Sequence, residues 1–130
     1  MQVFNFAESN SVLNQYVSEI RDVAVQTDRL RFRRNIERIG ELMAYEMSKH
    51  LSYSVKQVQT PLGIAESSTP DDQLVVGTVF RAGLPLHTGF LNVFDQADNA
   101  FVSPYRYYKD KECRELDVHM ENIATPDLTG

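Results

Sequence analysis

The chain has 130 residues, a formal net charge of −5 with a pI near 5.1, 42% hydrophobic and 24% charged residues, and one cysteine. That suffices for one soluble domain with one core, and it argues against a broad surface for nucleic acid or anionic membrane. A polyanion would have to be held by a few placed arginines or by a metal. The lone Cys113 excludes an internal disulfide and fits a reducing, cytoplasmic compartment. The N-terminus lacks the basic and apolar regions of a signal peptide, and no stretch of about 18 apolar residues could span a membrane.

Ser9, Asn10 and Ser11 suit a helix N-cap, and Val12, Leu13, Tyr16, Val17 and Ile20 recur behind them at helical spacing, predicting a helix over about residues 11–23. Thr27 or Asp28 caps a second, longer helix. Its predicted buried stripe is Ile36, Ile39, Met43, Met47 and Leu51, and Ser52-Tyr53-Ser54 ends it. Arg31, Arg33, Arg34, Glu37, Arg38 and Glu41 fall largely off that stripe and read as a solvated face, or else as a surface for a partner subunit. Val55 to Gln59 has β-type composition. Thr60-Pro61-Leu62-Gly63 suits a type I turn, Ile64-Ala65-Glu66 returns as the partner strand, and Ser67 to Asp72 reads as a loop.

Leu74 to Phe80 is a nearly continuous apolar run, predicted as a strand covered on both faces. A Gly/Pro-containing turn follows, then a short helix carrying Leu86, Phe90, Leu91, Val93 and Phe94 that stops near Asp95-Gln96. Ala100 to Ser103 is the next strand. Pro104 is expected near its end, because proline cannot donate to a central ladder, and Arg106 just beyond it. Tyr107 to Arg114 reads as a polar turn. Leu116, Val118 and Met120 alternate with Asp117, His119 and Glu121 as a half-exposed strand, and Asn122 to Gly130 reads as a linker.

The chemistry gathers around Arg81-Ala82-Gly83. Ligands of open α/β sheets collect at the carboxyl ends of strands. A helix N-terminus offers N–H groups to an anion, and a guanidinium adds a charged fork. The same residues also suit an ordinary turn with a capping arginine. Arg106 repeats the pattern after a second predicted strand, which strengthens the case for an anion site. His50, His87 and His119 lack metal-ligand spacing and read as surface or turn histidines. Cys113 has no neighbouring histidine and reads as an incidental thiol. No Ser/His/Asp or Cys/His arrangement is legible. Residue chemistry thus leads to an α/β domain with a candidate anion site and no metal site.

Phe32-Arg33, Leu42 with Tyr45-Glu46, Thr60-Pro61-Leu62-Gly63, Val79-Phe80-Arg81-Ala82-Gly83-Leu84 and Tyr105-Arg106 stand in an order and spacing that resemble the N-terminal part of the uracil phosphoribosyltransferase family. Two features depart from that pattern. Pro85 stands where many members carry glycine, and Tyr107 to Cys113 differs from the usual Asn/Asp-Glu-rich turn. The resemblance implies an α/β fold: N-terminal helices and a β-hairpin, then the first strands of a phosphoribosyltransferase-type, Rossmann-like sheet. It implies transfer of phosphoribose from PRPP to uracil, giving UMP and diphosphate, with Mg²⁺ accompanying PRPP. Arg81, Ala82, Gly83 and Arg106 would bind the diphosphate of PRPP, and the loop around Arg81-Ala82 would hold a strained or cis peptide. The family's acidic, Gly/Thr-rich phosphate loop and its uracil-recognising segment would follow Gly130. Residues 1–130 are therefore expected to be a single truncated phosphoribosyltransferase domain without a catalytic residue of its own, inactive alone. Its exposed sheet edge would favour homo-oligomers, dimers or larger. Two other readings stay open on the residues: a non-catalytic relative that binds PRPP or a nucleotide, and an interaction module working through the arginine-rich helix and the hairpin.

Overall fold

The computed structural model of the chain describes residues 3–108 and 116–127, with Arg106, Tyr107, Tyr108 and Leu116 described through their backbone. The elements in order are α1 (Leu13–Arg21), α2 (Arg29–Ser48), β1 (Tyr53–Thr60), β2 (Gly63–Pro70), β3 (Val75–Val79), α3 (Leu84–Val93), β4 (Asp98–Tyr108) and β5 (Leu116–Ala124). β1 and β2 form a separate antiparallel hairpin. The second sheet has the order β3-β4-β5, with β3 parallel to β4 and β4 antiparallel to β5. α3 is the crossover that a parallel pair requires, so the mixed α/β class expected from the sequence is the one observed.

Asp28 caps α2, its carboxylate accepting from the Leu30 and Arg31 N–H groups at 3.0 Å each. The helix stops at Ser48, earlier than Ser52, because Lys49, His50 and Leu51 turn to carbonyls three residues back. α1 is also shorter than its periodicity implies. Ser11 does serve its start, accepting from the Leu13 N–H at 3.2 Å.

The fully buried line of α2 is Asn35, Gly40 and Ala44, which corrects the predicted Ile/Met stripe. Ile36, Ile39 and Met43 are half-buried and Met47 is exposed. The cause is a backbone-to-backbone contact. A Cβ on Gly89 of α3 would overlap the Glu37 carbonyl oxygen and lie 2.9 Å from the Glu41 nitrogen; one on Gly40 would lie 2.6 Å from the Leu86 oxygen. No side chain fits between these helices. Asn92 closes the seam, donating to Glu41 at 2.7 Å and to Glu37 at 3.1 Å.

The charge run of α2 is likewise more than a solvated face. Arg31 grips Glu19 of α1 through Nε and Nη2, both at 2.9 Å. The buried Asn35 donates to the same carboxylate at 2.7 Å and accepts from Arg38 at 3.1 Å. Arg38 in turn lies over the Tyr16 ring, 5.4 Å from its centroid. Arg33 is exposed as expected, and Arg34 makes a surface pair with Glu37 at 2.8 Å.

The hairpin is longer than its composition implies. Ser67 to Pro70, predicted as loop, pair with Tyr53 to Lys56 in the ladder. Pro61 and Leu62 form the turn, Gly63 takes φ +131°, and the Thr60 hydroxyl donates to the Gly63 carbonyl at 2.7 Å. β3 is not covered on both faces. Val76 and Thr78 are half-buried against α3, whereas Val75 and Val79 are 40% and 55% exposed. Pro104 is not near the end of a strand but inside β4, at a register shift between Ser103 and Pro104 where the ladder to β5 breaks step. β4 therefore continues through Arg106, Tyr107 and Tyr108, and β5 continues through Ala124 into what reads as linker. The rest of the predicted polar turn, including Cys113, lies outside the described residues, as do Leu128 to Gly130.

Two outcomes are expected. Gly89→Ala forces α2 and α3 apart and should destabilise the chain by about 3 kcal/mol or more, read as a lowered urea midpoint; an unchanged midpoint would refute the contact. The hydrogen bonds from Arg31, Asn35 and Gln15 hold the Glu19 carboxylate down at about 2, from an ordinary 4.5. Because the folded value is depressed, its stabilisation is present above pH 4.5 and is lost as pH falls toward 2. Unfolding curves of wild type and Glu19→Gln should therefore converge on acidification through that window.

Candidate functional site

The site begins where β3 ends. Val79 pairs with Val102 of β4, and the Phe80 N–H still donates to the Val102 carbonyl at 2.8 Å. The Phe80 ring stacks on Phe101, 4.8 Å between centroids. The Phe80–Arg81 peptide is cis, in the loop where the resemblance implies such a bond.

The chain then turns sharply. The Gly83 N–H donates to the Val79 carbonyl at 3.2 Å, and the Leu84 N–H to the Arg81 carbonyl at 3.2 Å. A Cβ on Gly83 would overlap the Thr78 hydroxyl and lie 2.8 Å from the Val79 oxygen, so only glycine fits. α3 starts at once, with Pro85 in its first turn and the His87 N–H donating to the Gly83 carbonyl at 2.9 Å.

This geometry changes which groups could meet an anion. The N–H groups of Gly83, Leu84 and His87 are already used, and Pro85 has none. The start of α3 is thus a poorer donor set than its position after a strand implies. The Arg81 and Ala82 N–H groups, by contrast, meet no backbone acceptor among the described residues. Arg81 itself is exposed and has no ion-pair partner among the described residues. It is a charged fork held on a tightly folded turn.

Arg106 sits opposite Val118 of β5, four positions past Val102, the partner of the last β3 residue. The backbone thus carries Arg106 beyond the carboxyl end of β3, on the side where the Arg81 loop lies. Its side chain lies outside what is described. The arginine is within β4, not beyond a strand as its sequence position suggests.

His87 is the residue that sequence reasoning missed. It is only 6% exposed, its Nε2 lies 2.6 Å from the Asn99 Oδ1, and its ring packs 5.1 Å from Phe101. A signal was present: His87 precedes Phe90 and Leu91 by three and four residues, on the apolar face. His50 stacks on Phe4, and His119 lies beside Tyr105.

The site is an open turn and not an enclosed pocket. A cavity of about 560 Å³ lies between the N-terminal segment and α2, lined among others by Phe4, Phe6, Leu42 and Met43. Another of about 290 Å³ lies between β3 and α3. Arg81 lines neither. Among the described residues there is no group of three or more His, Cys, Asp or Glu side chains placed to hold a metal ion.

The family model for uracil phosphoribosyltransferase matches residues 7–125. A uracil phosphoribosyltransferase from Porphyromonas gingivalis is 57% identical over 129 residues, which cover 99% of this chain and 59% of that protein. One from Pyrococcus furiosus is 30% identical, over 98% of this chain and 53% of that protein. The solved structure of the AQ2163 protein from Aquifex aeolicus shares the fold with a TM-score of 0.75 at 23% identity, over 94% of this chain and 56% of that one. The chain thus spans little more than half the length of the relatives it matches.

Proposed function

The chain belongs to the uracil phosphoribosyltransferase family, and on that premise we propose that it supplies the diphosphate side of a site that transfers phosphoribose from PRPP to uracil. The observation that carries this reading is Arg81: an exposed guanidinium with no ion-pair partner among the described residues, on a loop whose Arg81 and Ala82 N–H groups meet no backbone acceptor there, at the carboxyl end of a parallel strand.

The chemistry needs such a group. As uracil approaches the anomeric carbon, the bond from that carbon to diphosphate lengthens and breaks. Positive charge develops on the sugar and negative charge on the departing oxygens. Arg81 is assigned to those oxygens, with the N–H groups of Arg81 and Ala82 as neutral donors. Gly83 contributes through the space it leaves against Thr78, not through its N–H. Arg106 of β4 is assigned as the second cation. Mg²⁺ belongs to the substrate on this reading: it arrives on the diphosphate of PRPP and neutralises part of its charge. The products are UMP and diphosphate, and a cytoplasmic location goes with this salvage reaction.

The contacts to uracil and to the ribose 5-phosphate are assigned outside these 130 residues, which are read as one incomplete domain. The relatives' greater length supports that division. The exposed outer face of β3, with Val75 and Val79, supports self-association.

Titration calorimetry of Mg²⁺ and PRPP against wild type and Arg81→Ala tests the site. Loss of a charge-assisted contact should weaken binding roughly tenfold or more; equal affinities would remove Arg81 from it. In the same preparations the 130-residue chain should form no measurable UMP and should scatter light as a dimer or larger. Turnover matching that of a version extended to the relatives' length, or a clean monomer at high concentration, would contradict these two assignments respectively.

A further inference from the structure

We propose that His87 is a positioning residue for the Arg81 loop, fixing both ends of the loop without touching the ligand. The proposal rests on the reading that this loop takes a diphosphate.

Two residues bound the loop: Phe80 before Arg81, and Gly83 after Ala82. His87 reaches both. Its backbone N–H donates to the Gly83 carbonyl at 2.9 Å. Its ring packs on Phe101, and Phe101 stacks on Phe80 at 4.8 Å. The imidazole is itself anchored. Asn99 offers an oxygen, so the Nε2–H donates to it, at 2.6 Å. Asn99 stands in β4 opposite Val76 of β3, so the sheet that positions β3 also positions the histidine. The loop is therefore referenced to the sheet twice: through the end of β3, and through Asn99, His87 and the first turn of α3.

A bland reading would make His87 a filler of the core. The second ring nitrogen speaks against that. Nδ1 is buried and has no hydrogen-bond partner among the described residues. Burying an unpaired acceptor costs free energy, which an apolar side chain of similar volume would avoid. A filler needs no imidazole; a tether to Asn99 needs Nε2. Nothing brings His87 to the surface where Arg81 stands, so its effect on the ligand is indirect.

Amide hydrogen exchange at Gly83 and Leu84 reads the loop directly, because both N–H groups bond across it. His87→Leu should speed exchange at these two amides about tenfold, the loss of one hydrogen bond, while Val76 and Thr78 stay unchanged. His87→Gln, whose amide can still donate to Asn99, should restore most of the protection. Asn99→Ala, which keeps the histidine and removes its acceptor, should reproduce the selective increase even if the leucine variant does not fold. Thr60→Ala, which removes a hydrogen bond in the turn of the separate hairpin, should leave the loop amides unchanged. Unchanged exchange at Gly83 and Leu84 in Asn99→Ala, or an equal rise in Thr60→Ala, would overturn the proposal. Titrating magnesium diphosphate against wild type and Arg81→Ala keeps the two ideas apart: failure of wild type to bind removes the ligand assignment, while the exchange pattern still decides the positioning role.

Discussion

Everything near the candidate site depends on two glycines meeting. Gly40 and Gly89 let α2 and α3 approach until their backbones touch, and no larger residue fits at either position. That contact fixes α3, and α3 fixes the turn before it, because Gly83, Leu84 and His87 tie the turn to the start of the helix and the end of the strand. The position of Arg81 is thus set by packing some way from the charge itself. A close-packed interior transmits such constraints, since it has no slack in which to absorb them.

The first helix is held differently. α1 has no fully buried residue, and a cluster of polar groups ties it to α2. Glu19 accepts from Arg31, Asn35 and Gln15, and Asn35 is satisfied on its other side by Arg38. Isolated surface ion pairs contribute little. This one is bidentate, joined to a buried amide, and leaves Glu19 only 16% exposed, so it behaves as a connected network. The chain therefore uses two kinds of joint: shape where α3 must be placed, and charge where α1 must be attached.

The alternation of residues made the main elements legible. Leu74 to Phe80 reads as a strand, Asp28 as a cap and Thr60 to Gly63 as a hairpin turn, and each is found in the structure. What failed to show in the sequence shares a physical cause: it depends on partners distant in the chain. The α2 stripe was misread because Gly40 looks like a weak spot in a helix until Gly89 is opposite it. Arg31 looks like solvated charge until Glu19 is found beside it. Ser67 to Pro70 have loop composition, yet the ladder to β1 organises them. Pro104 marks the place where β4 changes step, and not the place where it stops. The Arg81 turn was legible as a tight strand-to-helix connection, whereas the spent N–H groups at the start of α3 follow from hydrogen bonds that composition does not show.

The hairpin has one more property, and it is mechanical. Lys56 with Asp71, and the Ser52 N–H with Asp72, pin its base, while nearly every residue beyond is exposed out to Leu62. Eight-residue strands at about 3.3 Å per residue make an arm of roughly 26 Å. A tilt of about 10° at the base then carries the tip through roughly 4–5 Å, by the same strand geometry. The polar contacts at the base thus act as a fulcrum: small motions there become displacements at Leu62 as large as the spacing between neighbouring strands.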